Sequence, residues 1–213
     1  HIVPNSRNLP AEFSETRYPV LVERLSLAQD SAGAGYHRGG FGYDKRIRTL
    51  QNTMLISNGD RSLLNTYGVN GGKSGSTYGI SIQSDGIEEK TIPGMADNIE
   101  VESGAVVKIV TTGGGGWGDP MKREPERVLY DVICGLVSEK SAKEDYGVVV
   151  RSMRESFELD NKATEALRED IRLQSTPLPM FERGPYFDRK KRDNAINWPV
   201  GWTDPDEGWL AEE

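Results

Sequence analysis

Residues that usually announce chemistry are scarce in this chain. Its 213 residues include one cysteine, Cys134, and two histidines, His1 and His37. A single thiol excludes an internal disulfide framework and a cysteine-built zinc cage, and it fits a reducing, cytoplasmic setting. His37 sits alone in a glycine-rich stretch beside Arg38, without the neighbouring ligands that a metal site needs, so it reads as a structural, hydrogen-bonded residue. Long apolar runs are missing too. Nothing approaches the roughly 20 residues that cross a bilayer, and no positively charged start leads into an apolar stretch, so neither a membrane span nor a targeting signal is expected. Positive charge is also short: the formal net charge is -7, which leaves no basic face for nucleic-acid phosphates. The one basic run, Arg189 to Arg192, reads as a solvated turn in a charged tail. The opening stretch, His1 to Pro10, is polar and turn-like and reads as a processed or trimmed boundary.

Glycine, by contrast, is abundant, with 24 residues, and it divides the chain. Val20, Val22, Leu25 and Leu27 alternate imperfectly with polar residues and predict a strand over 19–29 with one buried face. Residues 31–42 carry five glycines, too many for a helix, and predict an ordered loop packed against the protein. Short strands are expected at Ile47–Leu50 and Thr53–Ser57, with a turn at Asn58–Arg61. A second glycine patch, Gly68 to Gly79, leads into the alternating Ile80-Ser81-Ile82. Asp85-Gly86 then predicts a hairpin turn before a strand at Ile87–Ile92. The last strand expected is Val106–Thr111, which ends in Gly113 to Gly116 and Gly118-Asp119-Pro120.

Helical patterning follows. Pro125 and Glu126 suit a first helical turn, with Val128, Leu129, Val132 and Ile133 on one face and Gly135 as the stop. Cys134, on the apolar side of that helix, reads as a buried, inert thiol. Ser138 can cap a short helix through Tyr146, with Gly147 behind it, and Asp160 a longer one with Ala163, Leu167 and Ile171 on its apolar face. Beyond Ser175 the chain loses its periodicity. Phe181, Tyr186, Phe187, Trp198, Trp202 and Trp209 are nonetheless costly to leave in water, so this extended tail is expected to pack on a neighbouring subunit or domain. The whole is an α+β arrangement: a boundary segment 1–17, a β-rich body 18–120, a helical part 121–174 and a tail 175–213.

Several motifs fail on spacing. Gly72-Lys73-Ser74 ends like a phosphate-binding P-loop, but Tyr67 stands where that loop needs its first glycine. Gly113, Gly115 and Gly118 match the dinucleotide spacing, yet Asp119-Pro120 intervenes before any helix could face a pyrophosphate. Ser31 after Asp30 lacks a second histidine and a strained elbow for a triad, and the two residues suit bonds to the loop's own amides. Asp60-Arg61 is either a charged pair pinning two loops or a surface turn.

In order along the chain, Tyr18-Pro19, Asp30-Ser31 with Gly33-Ala34-Gly35, Arg38-Gly39-Gly40, Asp60-Arg61, Gly71-Gly72, Gly113 to Pro120, Arg123, Pro125-Glu126, Asp131-Val132, Gly135 and Tyr146-Gly147 resemble the hydantoinase B/oxoprolinase-like subunits. Relatives of that family include acetone and acetophenone carboxylases. Ala32, where the family usually has glycine, and Ser103-Gly104-Ala105 before the last strand depart from the pattern. The resemblance implies the C-terminal part of a B-type subunit in an ATP-dependent, multi-subunit enzyme. An A-type ATPase subunit, carrying ATP and Mg, phosphorylates a carbonyl oxygen, and the product is either hydrolysed (hydantoin, 5-oxoproline, lactam) or carboxylated (acetone, acetophenone). Partners so implied are the N-terminal part of the same subunit, the A-type subunit and a small third subunit. The resemblance places any divalent metal in the N-terminal part, and it assigns no cofactor, metal ligand or catalytic residue to this chain. Residues near the reaction or organising its loops are expected among Asp30, Ser31, Arg38, Asp60, Arg61 and Asp119. The alternative is a noncatalytic scaffold that stabilises assembly.

Overall fold

The structure is a computed structural model that describes residues 8–154, 156–174, 179–193, 195 and 196. The strands are β1 (Val20–Leu27), β2 (Tyr43–Thr49), β3 (Thr53–Asn58), β4 (Gly68–Val69), β5 (Gly79–Gln83), β6 (Lys90–Ile92), β7 (Met95–Val101), β8 (Val106–Val110), β9 (Val150–Ser152), β10 (Phe157–Leu159) and β11 (Phe181–Glu182). The helices are α1 (Ala11–Arg17), α2 (Pro125–Ile133), α3 (Glu139–Tyr146), α4 (Asn161–Gln174) and α5 (Pro185–Arg192), and a 3-10 turn spans Pro120–Lys122. The architecture is α+β. It divides into two compact units that alternate along the chain: His1–Ser26, Tyr43–Asp60 and Tyr78–Val110 form the first, and Leu27–Gly42, Arg61–Thr77 and Thr111–Glu213 the second.

The first unit is built on a five-stranded sheet in the order β1-β2-β8-β5-β6. β8 sits at its centre, antiparallel to β2 through Ile47↔Val107 and to β5 through Ile82↔Val107. Because side chains alternate across a strand, Ile80, Ile82 and Val107 fall on one face, where Ile92, Val101 and Ala105 join them in a buried core. Burying each such aliphatic side chain contributes about 1.5–3 kcal/mol. Leu55 and Ile99, from the antiparallel pair β3–β7, pack against that core.

Three local expectations change here. β2 begins at Tyr43 rather than Ile47, because Asp44 and Arg46 pair with each other and Asp44 also meets Arg24, so the charged residues tolerate the strand. β6 starts only at Lys90, since the Gln83 amide donates to the Ile87 carbonyl at 2.6 Å and Ser81 bonds the Glu89 carboxylate, replacing ladder bonds by side-chain bonds. β7 was not expected at all. Its alternation is broken by Asn98, at φ 54°, and by a register shift opposite Leu55/Ser57.

The second unit holds the glycine segments and helices α2–α5. Gly33 N donates to Gly114 O at 2.8 Å, Gly114 N to Gly40 O at 2.8 Å, Lys73 N to Ala34 O at 2.7 Å, and Gly116 N to Lys73 O at 2.9 Å. Residues 33–40, 66–76 and 113–118 thus lie side by side, bonded laterally main chain to main chain although few of them form regular strands, with the middle segment turning at Asn70–Gly71. Only glycine permits such spacing: a Cβ at Gly33 would stand 2.2 Å from Lys73 O, and one at Gly116 would stand 2.1 Å from Ala34 O.

A second core of Val128, Val132, Val137, Ala142, Tyr146 and Val148 lies among α2, α3 and the segment after them, with Ala34 of the glycine loop included. α3 forms as expected, with Ser138 accepting from Ser141 N at 3.1 Å and Gly147 at φ 60° closing it. Asp160 caps α4 through Ala163 N at 3.0 Å. On α2 the buried residues are Val128, Asp131 and Val132, so Ile133 and Cys134 turn outward. Cys134 is exposed, not buried, because it lies six positions after Val128 and about 600° around the helix, away from the inward face.

Part of the tail packs on this chain: β11 pairs with β4, Asn70 N donates to Met180 O at 2.7 Å, and Glu182 accepts from the Ser74 amide. The basic run Arg189–Arg192 forms the last turn of α5, where cations complement the helix dipole. Trp198, Trp202 and Trp209 lie outside the described residues.

Candidate functional site

Ser31 follows β1 and is buried. Its hydroxyl donates to Ala28 O at 2.7 Å and accepts from Gly42 N at 2.9 Å, so both of its hydrogen-bonding roles are taken up by main chain. Asp30, at φ 57°, accepts from Ser138 N at 2.7 Å through its carboxylate, while its own amide donates to Leu136 O at 3.0 Å. Ser138 is the cap of α3, so Asp30 ties the start of the glycine loop to the α2–α3 connection. Asp119 caps the 3-10 turn, accepting from Met121 N at 2.9 Å. Asp60 and Arg61 are exposed at the turn after β3, and Arg61, at φ 59°, donates to Asn65 O at 3.4 Å.

Arg38 leads to a buried cluster of charge in the second unit. Its guanidinium grips Asp131 with two bonds, Nε to Oδ2 at 2.9 Å and Nη2 to Oδ1 at 3.2 Å, and lies 4.5 Å from the centre of the Phe41 ring. Arg123 reaches the same carboxylate, Nη2 to Oδ2 at 3.0 Å, and donates to Tyr36 O at 3.3 Å. Asp131 is only 3% exposed and Arg123 only 8%, so this is a buried carboxylate between two guanidiniums, whose geometry satisfies most of the groups removed from water. Tyr146 lies fully buried beside it, and burial pushes its phenol up to about 12, outweighing the opposite pull of Arg123. Arg168, lowered by its own burial and supported by the charges of Asp119 and Glu126, donates to the carbonyls of Tyr146 and Arg123.

Arg38 was singled out from the sequence, but its partners were not. Asp131 and Arg123 were visible only as landmarks of a resemblance, and the signal available was a carboxylate at a helix position flanked by Val128 and Val132, a place normally given to an apolar residue. The cluster is a lock between loop and helices: it fixes the backbone of the glycine segments, and the polar atoms it leaves buried without a hydrogen-bond partner are Arg123 Nε and the Tyr146 hydroxyl, which burial keeps protonated.

Lys73, in the failed P-loop match, pairs with Asp145 at 2.7 Å. Among the described residues no group of three or more His, Cys, Asp or Glu side chains is placed to hold a metal ion, and no helix is long and apolar enough to cross a membrane. His37 is exposed beside Trp117, with which it exchanges a pair of main-chain bonds of 3.0 and 2.8 Å.

The family model for hydantoinase B/oxoprolinase matches residues 1–120. Caprolactamase subunit beta of Pseudomonas jessenii is 38% identical over 163 residues, 74% of this chain and 27% of that protein. The crystal structure of the ATP-dependent caprolactamase from the same organism superposes with a TM-score of 0.68 at 35% identity, over 75% of this chain and 28% of that one. An uncharacterized protein of Methanocaldococcus jannaschii is 37% identical over 76% of this chain. A nucleotide-free acetone carboxylase shares the fold, with a TM-score of 0.64 at 22% identity, over 96% of this chain and 35% of that one. The chain thus spans 28% of the length of the first of its curated relatives.

Proposed function

Given that this chain belongs to the hydantoinase B/oxoprolinase family, we propose that it works as part of a B-type subunit of an ATP-dependent, multi-subunit enzyme that opens cyclic amides. Within that enzyme it supplies a rigid support on which loops facing the reaction are mounted. The observation that carries this reading is the commitment of its conspicuous polar groups to structure: Ser31 to main chain on both sides, and Arg38 and Arg123 to one buried Asp131. A chain arranged in this way positions other groups and leaves bond making to its partners.

The chemistry has a physical logic. An amide oxygen is a poor leaving group, and transfer of a phosphoryl group from ATP turns it into a good one. In this reading a partner ATPase subunit holds ATP and Mg and phosphorylates the carbonyl oxygen. One water adds to the carbon as the ring C–N bond of a hydantoin, 5-oxoproline or lactam breaks and its nitrogen leaves as the amine, and a second water releases phosphate from the resulting acyl phosphate. Hydrolysis is favoured over ketone carboxylation by the higher identity to caprolactamase, 35% against 22% in the structural comparison.

The test is to purify the assembly that contains this chain and follow ADP and ring-opened product together with hydantoin, 5-oxoproline and caprolactam. We expect coupled formation of both by the assembly and none by the 213-residue chain alone. Turnover by the isolated chain would contradict the support role, and an assembly that consumes ATP only with a ketone and bicarbonate would replace hydrolysis by carboxylation.

A further inference from the structure

Tyr36, His37 and Trp117 form an aromatic cluster that this chain's folding leaves in water. Tyr36 is 44% and Trp117 49% exposed. The Tyr36 and His37 rings meet edge to face with centroids 4.6 Å apart, and His37 and Trp117 lie 5.7 Å apart, tilted by 34°. Beneath the rings the main chain is pinned. His37 N donates to Trp117 O and Trp117 N to His37 O, Tyr36 N donates to Gly118 O at 3.1 Å, and Arg123 of the buried lock donates to Tyr36 O. The glycine packing described above continues directly into this cluster, since a Cβ at Gly35 would stand 2.7 Å from Trp117 N.

An aromatic side chain left half in water forgoes much of the free energy its burial would supply, and here two are held so by backbone that cannot relax inward. Their polar tips are equally open: no described residue hydrogen-bonds the Tyr36 hydroxyl, the His37 imidazole or the Trp117 indole N–H. A ring with an apolar face and a cis amide, its N–H and C=O side by side on one edge, would satisfy both. Its face covers the indole, and its edge meets the imidazole and the phenol.

We propose that Tyr36, His37 and Trp117 are a stacking platform for the ring of a cyclic amide, such as hydantoin or caprolactam. The inference rests on the cyclic-amide reading above and assigns to it a binding surface in this chain. Linear amides share the donor and acceptor but not the rigid ring, so the platform discriminates by shape of face rather than by hydrogen bonding alone. No bond is made or broken at the platform. It orients the ring, so these are positioning residues.

The experiment uses tryptophan fluorescence of the chain and steady-state kinetics of the assembly, with hydantoin and caprolactam as probes and N-methylacetamide as the linear control. The chain has four tryptophans, so Trp117→Phe isolates the signal. Both cyclic probes are expected to quench saturably, Trp117→Phe to lose that response, and N-methylacetamide to give none. In the assembly, Trp117→Leu and His37→Gln should raise KM about three- to tenfold with kcat nearly unchanged. Trp117→Phe, which keeps a ring, should stay within about twofold. Equal quenching by the linear amide, quenching that survives in Trp117→Phe, or an unchanged KM in Trp117→Leu would each overturn the proposal while hydrolysis by the assembly still stood. Trp117 already shielded from acrylamide in the substrate-free assembly would overturn it as well, and would make the cluster a subunit contact. An assembly that hydrolyses no cyclic amide would remove the reading beneath it.

Discussion

In the five-stranded sheet of the first unit, side chains fill the space between strands, whereas in the second unit's glycine segments main chain packs on main chain. Val107 stands between Ile47 and Ile82 on neighbouring strands, and each of them could lose a methyl group and leave a cavity. At Gly33 and Gly116 nothing can be removed and nothing can be added, because the neighbouring carbonyls already occupy the space of a Cβ. The first kind of packing tolerates volume changes and reports them in proportion. The second fails abruptly, and it gives a rigidity that ordinary loops lack. A support for reacting groups needs that rigidity, because small displacements of a positioned group cost large factors in rate.

The comparison breaks most visibly at the glycines. Gly33→Ala forces a Cβ to within 2.2 Å of backbone and should cost more than about 4 kcal/mol in urea unfolding. Gly79→Ala, with no atom within 4 Å of its Cβ, should stay within about 1 kcal/mol. Next comes the buried lock: Asp131→Ala leaves two guanidiniums facing each other without a counter-charge and should cost about 3–5 kcal/mol. Trimming the sheet core is milder at its lower end, with Ile80→Ala expected to cost about 2–5 kcal/mol according to how far its neighbours relax.

Alkaline titration gives a smaller effect than Asp131→Ala. Tyr146 keeps its proton to about 12 in the folded chain, while an unfolded tyrosine loses it near the ordinary value of 10.0. Above the unfolded value the unfolded state binds fewer protons, so the stabilising contribution is complete below about pH 10 and falls away as pH rises toward 12. The loss is of order 2–3 kcal/mol, and Tyr146→Phe should flatten that part of a stability-against-pH curve.

Much of the first unit could be read from the sequence because its order is local: alternation placed β1 and β5, although Leu25 and Leu27 of β1 are exposed, strands were expected at β3 and β8, and Asp85-Gly86 marked a turn in which Gly86 adopts φ 71°. β7 escaped because its register breaks at Leu55/Ser57, and β9 and β10, three residues each, are too short to show a period. The helix caps Ser138 and Asp160 were legible, since a capping side chain lies within three residues of the amide it serves. The lock was not. Arg38 and Asp131 are 93 residues apart, and no spacing rule connects them. The β11–β4 pairing had the same character, with Glu182 bonding the Ser74 amide across 108 residues. Glycine richness announced close backbone approach, but which backbone approached which was a property of the fold alone.

The central claim is that the glycine segments are as firmly ordered as the sheet. Amide hydrogen exchange tests it most directly, by comparing Gly33, Gly39, Gly114 and Gly116 with Val107 and Ile109 of β8. The account predicts that the two groups of amides exchange at similarly slow rates, through global unfolding. Glycine amides that exchange at the rate of an open loop, while β8 stays protected, would contradict it.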